Sequence, residues 1–248
     1  GVQSVAPDAT IVAGDLTKDG ERYNFDRYDE LATGLCRPLT IPGNHDVPKE
    51  YVDHDVPSVA DFATRYTEDG YPFRRRVGGV DVVCLNSAAM PDGSLRDSWG
   101  GRVSQSQLDW LASRLDSECL SVAVVHHNLF PQPEHDGGFW TNFPLENGRE
   151  LVDLLAGNSP VLVVSGHHHV PSYQHERGVH EVVAPALCSY PSSYLVIDVG
   201  PDGTVVRRIP VMTPTEQTES YTLGATGTEL GRAVVELAAT RLESEPFP

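Results

Sequence analysis

The chain has 248 residues, and 18 Lys and Arg against 35 Asp and Glu give it a formal charge of −17. Hydrophobic residues make up 40% and charged residues 21%, which excludes a disordered or fibrous polymer and leaves ample length for one large α/β or sandwich core. No apolar run approaches the roughly 18 residues that span a bilayer, no signal-like start is visible, and so acidic a chain is ill-suited to non-specific nucleic-acid binding.

The first predicted strand, residues 10–13, stops at Gly14-Asp15, and a helix is predicted over 23–33. A second apolar run, 38–42, ends in Gly43-Asn44-His45-Asp46 and is followed by a helix over 58–65. Residues 73–77 and 80–85 flank Gly78-Gly79, a hairpin signal. Over 104–115, Leu108, Leu111 and Leu115 share one helical stripe with Trp110 beside it. The run 121–125 ends at His126-His127-Asn128, a helix is predicted over 145–155, and the run 161–165 ends at Gly166-His167-His168-His169. These four runs are apolar and β-branched at nearly every position, which predicts strands buried on both faces. Residues 172–177 and 179–184 surround Gly178, while 194–199 and 204–209 flank Pro201-Asp202-Gly203, so both pairs read as antiparallel hairpins. A polar stretch, 213–222, precedes a final amphipathic helix from about 228 to 242. The alternation predicts a single α/β domain over 1–248, with 211–248 as a C-terminal extension.

Asp15, Asn44, His126, His167 and His169 all follow strands, where α/β sheets bind their ligands. Carboxylate, carboxamide and imidazole donors without thiolate suit Mn, Fe, Zn, Co or Ni. Histidines at i and i+2 on an extended segment point the same way. Each motif alone has a plainer reading. Gly14-Asp15 serves as a turn or helix cap, Gly43 to Asp46 as a β-turn, His126-His127 as a core histidine beside an exposed one, and Gly166 to His169 as a solvated loop. Their succession at strand ends is what argues for one shared site.

Other features read more simply. Cys36, Cys84, Cys119 and Cys188 form no CxxC pair, so reduced thiols in a cytoplasmic protein are expected. Lysine stands only at Lys18 and Lys49, and the acidic excess fits a halophilic source as well as an ordinary acidic protein. Arg74-Arg75-Arg76 alternates faces on an edge strand rather than forming a phosphate clamp. Gly224, Gly227 and Gly231 belong to helix capping by Thr226 or Thr228 rather than to a phosphate loop. His135, Phe139, Trp140 and Phe143 lie on a loop that either shapes a substrate pocket or is simply solvated.

With these motifs the chain resembles the calcineurin-like metallophosphoesterase superfamily. Its blocks are Asp-x-His, Gly-Asp, Gly-Asn-His-Asp/Glu, a His after a hydrophobic strand, and Gly-His-x-His; four of the five stand between Gly14 and His169. Gly101-Arg102-Val103-Ser104 with Gln107-Leu108-Asp109-Trp110-Leu111 is similar to the linker helix of the cyclic-nucleotide phosphodiesterase-like branch. The resemblance implies a four-layer α/β/β/α sandwich of two mixed sheets around a dinuclear centre of divalent Mn, Fe or Zn. It makes Asp15 the bridging ligand, completes one site with Asn44, His126 and His167, and gives His169 to the other. His126 is chosen over His127 because it directly follows the strand, and His127 remains the competitor. His45 would bind no metal but stabilise the phosphoryl oxygens or protonate the leaving alkoxide, with Asp46 either orienting it or capping the turn.

The implied activity is hydrolysis of a small phosphodiester, cyclic nucleotides among the candidates, by a metal-activated hydroxide. Phosphomonoesters come second, and a catalytically impaired fragment or a non-enzymatic scaffold are the rivals. No membrane partner is expected, and the oligomeric state stays open. The chain holds no Asp-x-His. That departure predicts either a missing first strand or a lineage that abandoned one metal, and in both cases one well-bound ion with the second weak or absent.

Overall fold

A computed structural model describes residues 2–49, 52–89, 99–115, 121–131, 144–157 and 161–243. The loop with His135, Phe139, Trp140 and Phe143 lies outside these residues, as does Cys119. The α/β class expected from the strand–helix alternation holds. Contacts divide the chain into two compact units, Gly1–His167 with His175–Glu181, and His168–Gln174 with Val182–Pro248.

In the first unit, β1 (Thr10–Val12) and β2 (Pro38–Thr40) form a parallel pair with Thr10 opposite Pro38, joined by α1 (Arg22–Ala32). α2 (Val59–Tyr66) begins with a capping box in which Ser58 and Asp61 satisfy each other's backbone N–H. A larger mixed sheet runs in the order β3-β4-β5-β6-β8-β7. Its strands are β3 (Phe73–Val77), β4 (Val80–Cys84), β5 (Ser121–Val124), β6 (Val161–Ser165), β7 (Ser172–Glu176) and β8 (Val179–Val183). β3 pairs antiparallel with β4, whereas β4, β5 and β6 run parallel. α3 (Gln105–Ala112) and α4 (Gly148–Ala156) bury Leu108, Leu111, Leu151 and Leu155 in one cluster with Val83, Val125 and Val163. Trp110 packs against that cluster while Arg114 stacks on its ring.

β3 is an edge strand, as the arginine triplet predicted. Arg74 and Arg76 pair with Asp81 of β4, and Arg75 turns the other way to Glu68 and Asp69. The expectation of four strands buried on both faces holds for β6 but not for β1, whose three residues are only half-buried. β1 pairs with β2 and with no other strand among the described residues.

The second unit contains the hairpin of β9 (Ser193–Gly200) and β10 (Gly203–Pro210), turned at Pro201-Asp202. It ends in α5 (Pro214–Thr226) and α6 (Glu229–Glu243). α5 corrects the reading of 213–222 as an unassigned polar stretch. It lacks an apolar stripe, and its start is fixed locally by a Thr213–Glu216 capping box with Pro214 at the first position. Thr218, Thr222 and Thr226 then satisfy their hydroxyls on carbonyls four residues back. Gly227 ends α5 and the Thr228 hydroxyl caps α6, as expected. Among the described residues, no helix is long and apolar enough to cross a membrane.

Candidate metal centre

The parallel pairing of β1 and β2 carries Gly14-Asp15 and Gly43-Asn44 to the same end. Their backbones meet so closely that side chains are excluded. A Cβ on Gly14 would lie 2.6 Å from Gly43 N and from His126 Nδ1, and one on Gly43 would overlap the Asp15 backbone and carboxylate. Gly14 also has φ +93°, which favours glycine. Asp15 follows with φ +56°, and its Oδ1 accepts from the His45 backbone N–H at 2.9 Å.

His126 follows β5 and is fully buried. Its Nδ1 donates to the Ala13 carbonyl at 2.7 Å, which turns the Nε2 lone pair inward. Around that Nε2 lie Asp15 Oδ2 at 3.3 Å, Asn44 Oδ1 at 3.2 Å and His167 Nδ1 at 3.2 Å. The donor atoms of Asp15, His126 and His167 all fall within 4.8 Å of one another. Two oxygens and a second imidazole nitrogen therefore lie within hydrogen-bonding distance of His126 Nε2. This set fits a divalent cation of the borderline class.

The titration directions express the same crowding. Burial raises the Asp15 carboxyl, but the charges of His126, His45 and His167 and the His126 hydrogen bond outweigh it and hold Asp15 below the carboxylate range. Burial lowers His126, but Asp15 more than compensates and raises it.

His127 does not share that inward geometry. Its Nε2 donates to the Trp99 carbonyl at 3.1 Å, so its Nδ1 accepts from the Ser87 hydroxyl at 2.8 Å. Burial, followed by the charge of His126, pushes His127 down to about 3 and keeps it neutral. A Cβ on Gly101 would strike its ring, so the segment Trp99 to Gly101 lies directly on this imidazole.

His167 and His169 adopt φ of +61° and +64°. The segment is thus not extended, and the common direction inferred from the i, i+2 spacing does not apply. His169 belongs to the second unit, whereas Asp15, Asn44, His126 and His167 belong to the first.

Asp46 caps the turn: its carboxylate accepts from Gly43 N, Thr17 N and the Thr17 hydroxyl. Burial and the Asp15 charge push it up to about 7 against the N–H groups of Gly43, Leu16 and Thr17. The His45 ring is held elsewhere, with Nδ1 against the Lys18 carbonyl and 3.2 Å from Lys49 Nζ. Lys49, its side chain wholly buried, also donates to the Lys18 carbonyl and to Asp19, each at 3.2 Å. The Trp99 ring stands edge-on to His45 at 5.7 Å and is 41% exposed. Sequence reasoning missed both residues. Lys49 carried one faint signal, being one of only two lysines in the chain.

Carboxylate, carboxamide and imidazole gathered beyond the strands of an α/β fold make a donor set suited to a divalent ion. The chain belongs to the calcineurin-like phosphoesterase family, whose model matches residues 2–171. It is 26% identical over 210 residues to a Synechococcus protein named "Probable cyclic nucleotide phosphodiesterase", covering 80% of this chain and 74% of that one. It is also 26% identical over 186 residues to the 3',5'-cyclic adenosine monophosphate phosphodiesterase CpdA of Pseudomonas aeruginosa, covering 73% of this chain and 61% of that one. The 5'-nucleotidase of Candida albicans shares the fold at a TM-score of 0.50 and 12% identity, over 95% of this chain and 48% of that one.

Proposed function

We propose that the protein is a metal-dependent phosphodiesterase acting on small phosphodiesters, with cyclic nucleotides as the substrate class. The observation that carries this reading is the convergence of Asp15, Asn44 and His167 on His126 Nε2, each within 3.3 Å. The preference for diesters over monoesters rests on the names of the relatives. Asp15, Asn44, His126 and His167 would hold one divalent ion, Mn, Fe or Zn. Such an ion, when bound, neutralises phosphoryl charge and lowers the pKa of water.

The remaining work falls to this chain's own groups. The Asp15 carboxylate orders the His45 backbone by accepting from its N–H. The Lys18 carbonyl accepts from His45 Nδ1 and is itself held by Lys49. That fixes the ring so that Nε2, when it carries a proton, donates it to the leaving oxygen, an effect typically worth about 100- to 10,000-fold. Trp99, exposed beside His45, offers an aromatic face to a nucleobase. The three described cysteines are free thiols, which supports a reducing cytoplasmic setting.

The test is hydrolysis of a chromogenic phosphodiester with Mn²⁺ in high-salt buffer. Wild type turns over, and Asn44→Ala and His167→Ala each lose about 100-fold or more. Turnover confined to monoesters would move the assignment to a phosphomonoesterase. Elemental analysis of the 248-residue chain is expected to find one tightly held ion. Two would refute the prediction of a single strong site.

A further inference from the structure

Beyond the last paired residues of β5 and β6, the backbone must turn into the two segments that carry His126 and His167. The ladder continues through Val125 N to the Val164 carbonyl at 3.1 Å and Gly166 N to the His126 carbonyl at 2.9 Å. Past that point the backbone N–H groups of Leu129 and Phe130 are buried and need acceptors. Both find Glu181 of β8. Its Oε1 accepts from Leu129 N at 2.6 Å and from the Ser165 hydroxyl at 2.7 Å, and its Oε2 accepts from Phe130 N at 3.0 Å. Ser165 Oγ in turn accepts from Asn128 Nδ2 at 3.1 Å, and the same amide donates to the Gly166 carbonyl at 3.2 Å.

Glu181 is fully buried, and the groups that meet its carboxylate are backbone N–H and hydroxyl donors rather than a Lys, Arg or His side chain. A carboxylate in such a place is costly unless hydrogen bonds satisfy it. Here three donors do, and they belong to the two segments that bear the imidazoles. Hydrophobic packing alone would favour an apolar residue at this position. Glutamine would present an N–H₂ to one of the backbone donors.

We propose that Glu181, acting through Ser165 and Asn128, is a positioning residue for the candidate metal centre, locking the His126 loop to the His167 turn at cation-binding spacing. This rests on the metal-site reading above. The partners that orient metal ligands typically change metal affinity by about 10- to 100-fold when lost.

The experiment is calorimetric titration of the folded, metal-stripped protein with Mn²⁺, well below its melting temperature. Glu181→Gln and the gentler Ser165→Ala are each expected to weaken binding about 10- to 100-fold. Val235→Ala, a truncation of a buried residue on α6 outside the cluster that contains Leu129 and Phe130, should lower the melting temperature and leave the affinity unchanged. Unchanged affinity in Ser165→Ala and in any folded Glu181→Gln, with a lowered melting temperature, would overturn the proposal and make Glu181 a core stabiliser only. Wild type that binds no Mn²⁺, Zn²⁺ or Fe²⁺ would instead overturn the metal reading, and the proposal with it.

Discussion

Asp15 and His167 sit at positive φ, where a non-glycine residue typically stores about 1–3 kcal/mol of strain. Tertiary contacts hold them there: Gly43 packs onto the Asp15 backbone, and His126 meets both side chains. Lys49 is another residue whose worth lies in its setting, a buried ammonium with the Lys18 carbonyl, Asp19 and the His45 ring around it. Glu181 allows a quantitative test. Burial pushes its carboxyl up from 4.5 to about 7, against the hydrogen bonds from Ser165, Leu129 and Phe130. Because the folded value is the higher one, its favourable contribution is complete below the unfolded value and is lost as pH rises through about 7. The loss is on the order of 3 kcal/mol. Urea midpoints of wild type should therefore fall from pH 5 to pH 8 more steeply than those of Glu181→Gln, and parallel slopes would contradict the raised value.

At the scale of elements, periodicity identified what burial drives and missed what capping drives. β6 is buried at all five positions, and its apolar run announces it. α5 has no buried residue, and only the Thr213–Glu216 box and Pro214 announce it. That box should matter more to α5 than an equal box matters to a well-buried helix. Thr213→Ala is expected to cost about 1 kcal/mol and to speed hydrogen exchange in the first turns of α5. Unchanged exchange there would show that packing against α6, rather than the cap, holds the helix.

For the molecule as a whole, a charge of −17 means mutual repulsion that screening relieves. Raising KCl to 1 M shortens the screening length to about 3 Å, so the melting temperature should rise by several degrees between dilute buffer and 1 M KCl. A flat or falling profile would argue against adaptation to salt. The strand-end motifs were legible because chemistry needs particular donor types, and the order of strands and helices was legible because burial imposes periods of two and 3.6 residues. Sequence by itself thus determined the α/β class and the family, and it singled out Asp15, Asn44, His126 and His167, which the fold brings together. Tertiary structure decided which imidazole faces inward. His126 and His127 are adjacent and equally buried, and only the Ala13 carbonyl on one and the Ser87 hydroxyl with the Trp99 carbonyl on the other distinguish them. It likewise decided the surroundings of Lys49 and Glu181, because a buried charge takes its partners from segments distant in the chain, and no local pattern records them.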